Sequence, residues 1–109
     1  MSTILDPRRT VKAVQVPNDD QRLQPGESEI TEPGLARRLD SDHLLFSCPG
    51  CGRPGAIRAG NPKSGDPPSW DVTGGSLDDV TMLTLAPSIH CVGCCGWHGF
   101  LQNGVFKSC

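Results

Sequence analysis

The stretch "HCVGCCGWHGF", residues 90–100, places three cysteines and two histidines within eleven positions. An earlier stretch, "SCPGCGRPG", residues 47–55, holds two more cysteines in the order Cys-Pro-Gly-Cys-Gly. Two thiolates this close in sequence reach one ion only if the backbone turns tightly, and Gly52 permits the positive φ that such a turn requires. The two stretches therefore predict two knuckles, about forty residues apart, that share one metal site.

The second knuckle offers more ligands than one ion can use. Cys91 with Cys94, Cys91 with Cys95, and Cys95 with His98 all have permitted spacing. The first knuckle ends in a Cys-Gly step, and in the second stretch only Cys95 is followed by glycine.

This repeated step selects four ligands and leaves two alternates. The predicted ligands are Cys48, Cys51, Cys91 and Cys95. Cys94 and His98 are the alternates, and a histidine beside the ion would also suit a hydrogen bond to a thiolate. Cys109 is predicted to be a free thiol.

Four thiolates favour zinc, in a structural role. Soft ligands in a closed set of four select zinc or an iron-sulfur centre, and zinc is usual for paired knuckles. A redox Cys-x-x-Cys would open a helix, which the glycines and proline after Cys51 do not allow. A catalytic zinc is the alternative that the surplus His90 and His98 leave open, with an acid from residues 71–79 as a conceivable base, namely Asp71, Asp78 or Asp79.

Residues 44–109 indicate a small antiparallel β domain. Short runs rich in β-branched and aromatic residues alternate with glycine-rich turns, and "QNG", residues 102–104, is a strong hairpin signal. The predicted strands are "LLFSC", "GAIRA", "SWDVT", "TMLTLA", "PSIHC", "WHGFL" and "GVFK". The loop over 60–69 contains three prolines and is predicted to be irregular.

Residues 1–43 have the composition of an extended arm. They hold no aromatic residue and no cysteine, with eight acidic and six basic side chains, so they cannot bury enough apolar surface to offset their chain entropy. "TVKAVQV", residues 10–16, suits a strand that adds to the sheet edge of another protein. "GLARRLDSDHLL", residues 34–45, suits one or two helical turns.

Charge and hydropathy restrict the partners. The formal net charge is −2, which gives no general attraction to nucleic acid or anionic lipid. Neither a secretory signal nor a run of about 20 apolar residues is present in the sequence. We therefore expect a protein of the virion or the host cytoplasm, with no membrane partner.

A resemblance over about residues 44–107 rests on four stretches, namely "FSCPGCG", "PSWDVTGG", "TLAPSIHC" and "CGWHGFLQNGVF". Their order resembles that of a family of small zinc-ribbon proteins found mainly in bacteriophages and prophages. The resemblance implies a ribbon or treble-clef-like β fold with one zinc and no established activity. It also implies that His98, which belongs to the family's pattern, is a candidate ligand in place of Cys91. The arm and Cys94 depart from the pattern.

These observations favour a non-enzymatic assembly protein. The zinc-stabilised domain would dock onto protein subunits of a larger particle, such as a virion, through residues 1–43. A nucleic-acid-binding or host-regulating zinc ribbon is the alternative, with a weak basic face of Arg53, Arg58 and Lys63 and with Trp70 or Trp97 for stacking. A zinc hydrolase is the third candidate, and no nucleophile with a partner is predicted.

Overall fold

The computed structural model describes residues 9–26, 29–60, 70–91 and 94–109. These residues form ten strands and no helix. In chain order the strands are β1 (Val11–Lys12), β2 (Val14–Gln15), β3 (Leu35–Asp40), β4 (His43–Ser47), β5 (Pro54–Gly60), β6 (Trp70–Ser76), β7 (Asp79–Ala86), β8 (Ile89–His90), β9 (His98–Gln102) and β10 (Val105–Ser108). The prediction of a small all-β fold is confirmed.

The strands form two sheets. The larger has the order β2-β3-β4-β5-β6-β7, and the smaller has the order β1-β10-β9-β8. Neighbours are antiparallel except β2 with β3 and β5 with β6, which are parallel. Each strand that the sequence predicts after residue 43 has its counterpart among β4 to β10. Of the predicted loop over 60–69, residues 61–69 lie outside the described part of the chain.

Aromatic packing between the sheets forms the main core. The ring of Phe46 stacks on that of Phe106 at 5.7 Å between centroids, and Trp97 meets Phe106 edge-on at 6.1 Å. In β9, Gly99 and Leu101 are buried while the alternate side chains are exposed, as a half-buried strand requires. The outward face of β9 is therefore free to carry function.

The β9–β10 hairpin turns at Asn103 and Gly104, both with positive φ (47° and 77°). This is the turn that "QNG" predicts. A side chain at Gly104 would collide with the Thr81 carbonyl oxygen, so glycine is also required for contact between the sheets.

The N-terminal segment is extended and pairs with the chain's own sheets. Val11 of β1 lies opposite Phe106, and Val14 of β2 lies opposite Leu35. The strand predicted over 10–16 thus adds to edges within its own chain. Strand pairing and packing cross the predicted boundary between 1–43 and 44–109, and the division into two domains stays a prediction.

The prediction of helical turns over 34–45 is wrong, because this segment forms β3 and β4. Leu35 packs with Val16, Leu23 and Leu45 in a second apolar cluster, whereas Ala36 packs in the main core. Consecutive residues buried on opposite faces fit a strand inside a sheet. No helix that could cross a bilayer occurs among the described residues.

Candidate active site and thiol cluster

Four cysteines meet where the two knuckles face each other. The Sγ atoms of Cys48, Cys51, Cys94 and Cys95 all lie within 4.8 Å of one another, and those of Cys48 and Cys95 are 3.5 Å apart. Tetrahedral zinc with Zn–S bonds of about 2.3 Å separates its sulfurs by about 3.8 Å. The four thiols could therefore hold one metal ion.

The backbone of the two knuckles follows one pattern with different lengths. In the first, the Cys48 N–H donates to the Arg53 carbonyl (2.8 Å), and the Gly52 N–H donates to the Cys48 carbonyl (2.8 Å). In the second, Cys91 takes the place of Cys48, since its N–H donates to the Trp97 carbonyl (2.7 Å) and its carbonyl accepts from the glycine N–H of residue 96 (3.0 Å).

The second knuckle is one residue longer, which changes the thiol that faces the first. Gly52 and Gly96 share a positive φ of 83° and 81°, as the sequence predicts for the residue after the last cysteine. Four positions separate Cys48 from Gly52, whereas five separate Cys91 from Gly96. In this longer knuckle Cys94, and not Cys91, belongs to the group of four.

Three of the four predicted ligands thus belong to the group, together with the alternate Cys94. Cys91 lies outside the group but contacts Cys48. His98 also lies outside it. Which four side chains bind the ion stays a prediction that substitution can test.

Three of the four thiols of the cluster are poorly suited to carrying negative charge alone. Contact with Cys91, together with burial, raises the pKa of Cys48 above its usual range. Burial raises the pKa of Cys94 to about 12 and that of Cys95 to about 11. Burial acts in the same direction on Cys51, but hydrogen bonds, led by the one from the Arg53 backbone, lower its pKa below the ordinary value. A bound cation would supply the charge that several adjacent thiolates need.

A serine and a histidine meet on the outer face of β8 and β9. The Ser88 Oγ and the His98 Nε2 are 2.9 Å apart, within hydrogen-bonding distance. His90 lies directly opposite His98 in the antiparallel pair, so Ser88, two positions before His90, is the diagonal neighbour of His98 on the same face. The register of two short strands therefore creates this contact.

The inner face and the backbone hold the pair in place. Ile89, Trp97 and Leu101 are almost fully buried beneath it. The Trp70 Nε1 donates a hydrogen bond to the Ser88 carbonyl (3.1 Å), and the Cys109 N–H donates to the His98 carbonyl (3.1 Å). Both reactive side chains thus project from anchored main chain.

His90 packs against His98, with ring centroids 4.9 Å apart and an angle of 34° between the planes. The described residues place no carboxylate in an ion pair with His98. The arrangement is therefore a serine-histidine pair with a second imidazole beside it.

A cleft of about 390 Å³ reaches Ile89 and His90 of β8, whereas Ser88 and His98 themselves do not line it. Trp70 and Ile89, the neighbours of Ser88, line it together with His90. Its other walls come from β4, β5 and the two knuckles, at Phe46, Cys48, Arg53, Pro54, Gly55, Ala56, Ile57, Cys91 and Cys94.

The acids named as conceivable bases do not join either group. Asp78 forms an ion pair with Arg38 at 2.6 Å, and Asp79 caps its own turn by accepting from the Thr81 N–H at 3.1 Å. Asp71 lies in β6 opposite Ala86, and its side chain is exposed.

The basic face is dispersed. Arg53 lines the cleft, Arg58 lies 3.7 Å from Asp42, and Lys63 lies outside the described residues.

Ser88 is the residue that the sequence analysis missed. The stretch "PSI" is part of a predicted strand and of the resemblance, but no local motif joins a serine to a histidine ten residues later. A pairing of "PSIHC" with "WHGFL" in the register of His90 with His98 would have placed the two side chains together.

A protein-family model matches residues 16–109, and its description is "Bacterial ubiquitination-like system serine protease (BubE)". No curated protein and no solved structure matched the chain. The family match covers the described parts of both predicted domains apart from the first few residues.

The match corrects the functional expectations. The prediction of a non-enzymatic assembly protein is wrong, because the matching family is one of serine proteases. The nucleic-acid-binding alternative fits that family no better, and the zinc hydrolase fits it only in being a hydrolase. Nothing in the comparisons supports a phage or virion origin. The docking of residues 1–43 onto other subunits stays an untested prediction.

The match extends over far more than half of the 109 residues, from β3 through both knuckles to β10. It includes the thiol cluster, Ser88 and His98 in one continuous alignment. The chain belongs to the family of bacterial ubiquitination-like system serine proteases.

Proposed function

We propose that the chain is a serine peptidase in which Ser88 is the nucleophile and His98 is the general base. The observation that carries the proposal is the distance of 2.9 Å between the Ser88 Oγ and the His98 Nε2. A serine hydroxyl is a weak nucleophile unless a base within hydrogen-bonding reach takes its proton. This pair meets that geometric requirement in a chain whose family is named for serine proteolysis.

The reaction follows from the two side chains. His98 Nε2 accepts the hydroxyl proton as the Ser88 Oγ attacks the carbonyl carbon of the scissile peptide. The protonated imidazole then gives this proton to the leaving amine, and the C–N bond breaks to leave an acyl-serine. Water, deprotonated by His98, hydrolyses the ester and restores the hydroxyl.

His90 is proposed as a positioning residue. Its ring, 4.9 Å from that of His98 between centroids, restricts the rotation of the base on an exposed strand face. A base held in one orientation retains the geometry that proton transfer needs.

We further propose that Cys48, Cys51, Cys94 and Cys95 hold one structural zinc. Their mutual distances and their soft donor atoms support this assignment. The ion would supply positive charge to four thiolates and no chemical step. Trp97 and His98 follow the second knuckle directly, so a closed zinc site would fix the start of the strand that carries the base.

The substrate is proposed to be a protein component or conjugate of a bacterial ubiquitination-like system. This follows the name of the family, and a cleft of about 390 Å³ reaches Ile89 and His90, the two residues that follow Ser88.

Reaction with a fluorophosphonate probe tests the assignment of the nucleophile. We expect labelling at Ser88, found by peptide mapping, and its loss in Ser88→Ala. His98→Ala should slow labelling by about 10² to 10⁴-fold, the usual contribution of a general base. Ser108→Ala is the matched control, since Ser108 lies in the adjacent strand and its hydroxyl is 3.4 Å from the Cys109 carbonyl oxygen instead of an imidazole. Labelling that persists in Ser88→Ala would contradict the proposal.

A further inference from the structure

Along most of β5, one edge borders the cleft and has no partner strand among the residues that the structure describes. β5 pairs with β4 from Pro54 to Arg58. On its other side, among the described residues, it pairs with β6 only at Ala59 and Gly60. The edge over residues 54–58 therefore faces the cleft, and an unpaired edge is a template for an added strand.

The ladder determines which backbone groups this edge presents. Arg53 and Ala59 both bond toward β4, since the Arg53 carbonyl accepts from the Cys48 N–H and the Ala59 N–H donates to the Asp42 carbonyl, each at 2.8 Å. Backbone groups alternate between the two edges of a strand, so the odd-numbered residues face β4. The N–H and the carbonyl of Ala56 consequently point to the open edge.

The side chains along this edge leave room for a second chain. Gly55 and Ala56 are exposed and small. The aromatic rings of Phe46 and Trp70 line the cleft beside them, and Trp70 also bonds to the Ser88 carbonyl. A chain that lies along β5 would thus face the wall of the cleft that Trp70, Ile89 and His90 form, and the last two directly follow the proposed nucleophile in the sequence.

Charge adds a preference for the occupant. Arg53 is exposed at the start of this edge and is the only lysine, arginine or carboxylate side chain among the described residues that line the cleft. A carboxylate on the bound segment would meet this guanidinium with little competition from other charges.

We propose that the cleft binds an extended, acidic segment of a protein substrate as an added strand on β5. Ala56 exchanges main-chain hydrogen bonds with the segment, and Arg53 pairs with one of its carboxylates. The role in presenting a peptide bond to Ser88 depends on the proposed function, whereas the binding of the segment does not.

Ala56→Pro tests the main-chain contacts. Proline removes the outward N–H but leaves the bonds to β4 intact, and proline is tolerated on a strand edge. Ala56→Ser is the matched control, because it keeps the N–H. Both are made in Ser88→Ala protein, which does not cleave its ligand, and are incubated with an array of short synthetic peptides.

We expect peptides enriched in Asp and Glu to bind the control, and Ala56→Pro to weaken their binding by about tenfold. Arg53→Gln should remove the preference for acidic peptides. Equal binding by Ala56→Pro and Ala56→Ser would overturn the proposal. If Ala56→Pro does not fold, the backbone amides of a bound peptide are N-methylated one at a time to find those that donate hydrogen bonds to β5. If no N-methylation weakens binding, the proposal is also overturned.

Fluorophosphonate labelling separates the two proposals. In protein that retains Ser88, the labelling rate reports on the nucleophile alone, since the small probe needs no strand. Failure to label any variant would remove the proposed nucleophile and leave the peptide-binding result standing.

Discussion

The thiol cluster and the Ser88–His98 pair both involve the β8–β9 region, and they depend on the sequence in different ways. The cluster is made by two local turns, and its first two cysteines are buried. The pair is made by the register between two strands, and its histidine is exposed. Local spacing reveals the first, whereas only a knowledge of pairing reveals the second.

Removal of the metal should have the largest effect, and it tests whether the Ser88–His98 pair depends on the thiol cluster. If the cluster only supports the fold, a chelator should unfold the domain, because structural zinc contributes about 10 to 16 kcal/mol and typical domains are stable by about 5 to 15 kcal/mol. Near-ultraviolet circular dichroism of the tryptophans and the labelling rate of Ser88 should fall together. Ser88→Ala should retain full zinc content and stability. Rapid labelling of metal-free protein would show that the two regions are independent.

Substitution of single cysteines tests which of them bind the metal. We expect Cys94→Ser to lower zinc affinity by more than about 100-fold, since it removes a ligand, and Cys91→Ser to lower it by about tenfold, as for a residue that only contacts a ligand. Competition with a chromophoric chelator measures both. The two substitutions differ only in position within one knuckle, so each is the control for the other. The reverse order would favour the predicted set that contains Cys91.

The smallest expected effect concerns a second histidine contact, that of His43 with Asp40. It serves as a comparison for the contact of His98 with Ser88. The His43 Nδ1 lies 2.8 Å from an Asp40 carboxylate oxygen, and this hydrogen bond raises the pKa of His43. The pKa of Asp40 is lowered, first by the Asp42 backbone N–H and then by His43.

The pH dependence follows from these directions. The stability from His43 is fully present below the ordinary histidine pKa and is lost as pH rises through the raised value. The stability from Asp40 is present above the ordinary carboxyl pKa and is lost as pH falls through the lowered value. Exposure of both groups keeps the effect small.

His43→Gln should therefore lower the urea midpoint slightly near pH 5 and not near pH 9. The difference between the two proteins isolates the pair from other titrating groups. Labelling of Ser88 should be unchanged, and a loss of labelling would mean that the site extends to the β3–β4 turn.

Much of the fold could be predicted because its signals are local. Glycine after each final cysteine and Asn103-Gly104 in the hairpin all adopt the positive φ that their residue types permit. The error over 34–45 arose because Leu35 and Leu39, four apart, fit one face of a helix, whereas the burial of consecutive residues on two faces requires the neighbouring sheets.

The candidate site was only half predictable for the same reason. Cys48 and Cys51 follow from the Cys-Pro-Gly-Cys-Gly turn, but the choice between Cys91 and Cys94 depends on one added residue in the opposite turn. Ser88 directly precedes β8 and His98 begins β9, and the Trp70 bond that anchors Ser88 comes from β6. No pattern within one strand contains that information.

The buried Trp97 indole donates a hydrogen bond of 2.6 Å to the Arg9 carbonyl, and this contact joins the segment before β1 to the residue that precedes the proposed general base. The segment around Arg9 therefore helps to position the start of β9, and a fusion tag joined close to Arg9 would strain the Trp97–Arg9 hydrogen bond. A tag that is separated from Arg9 by a linker should leave this hydrogen bond and the position of His98 unchanged.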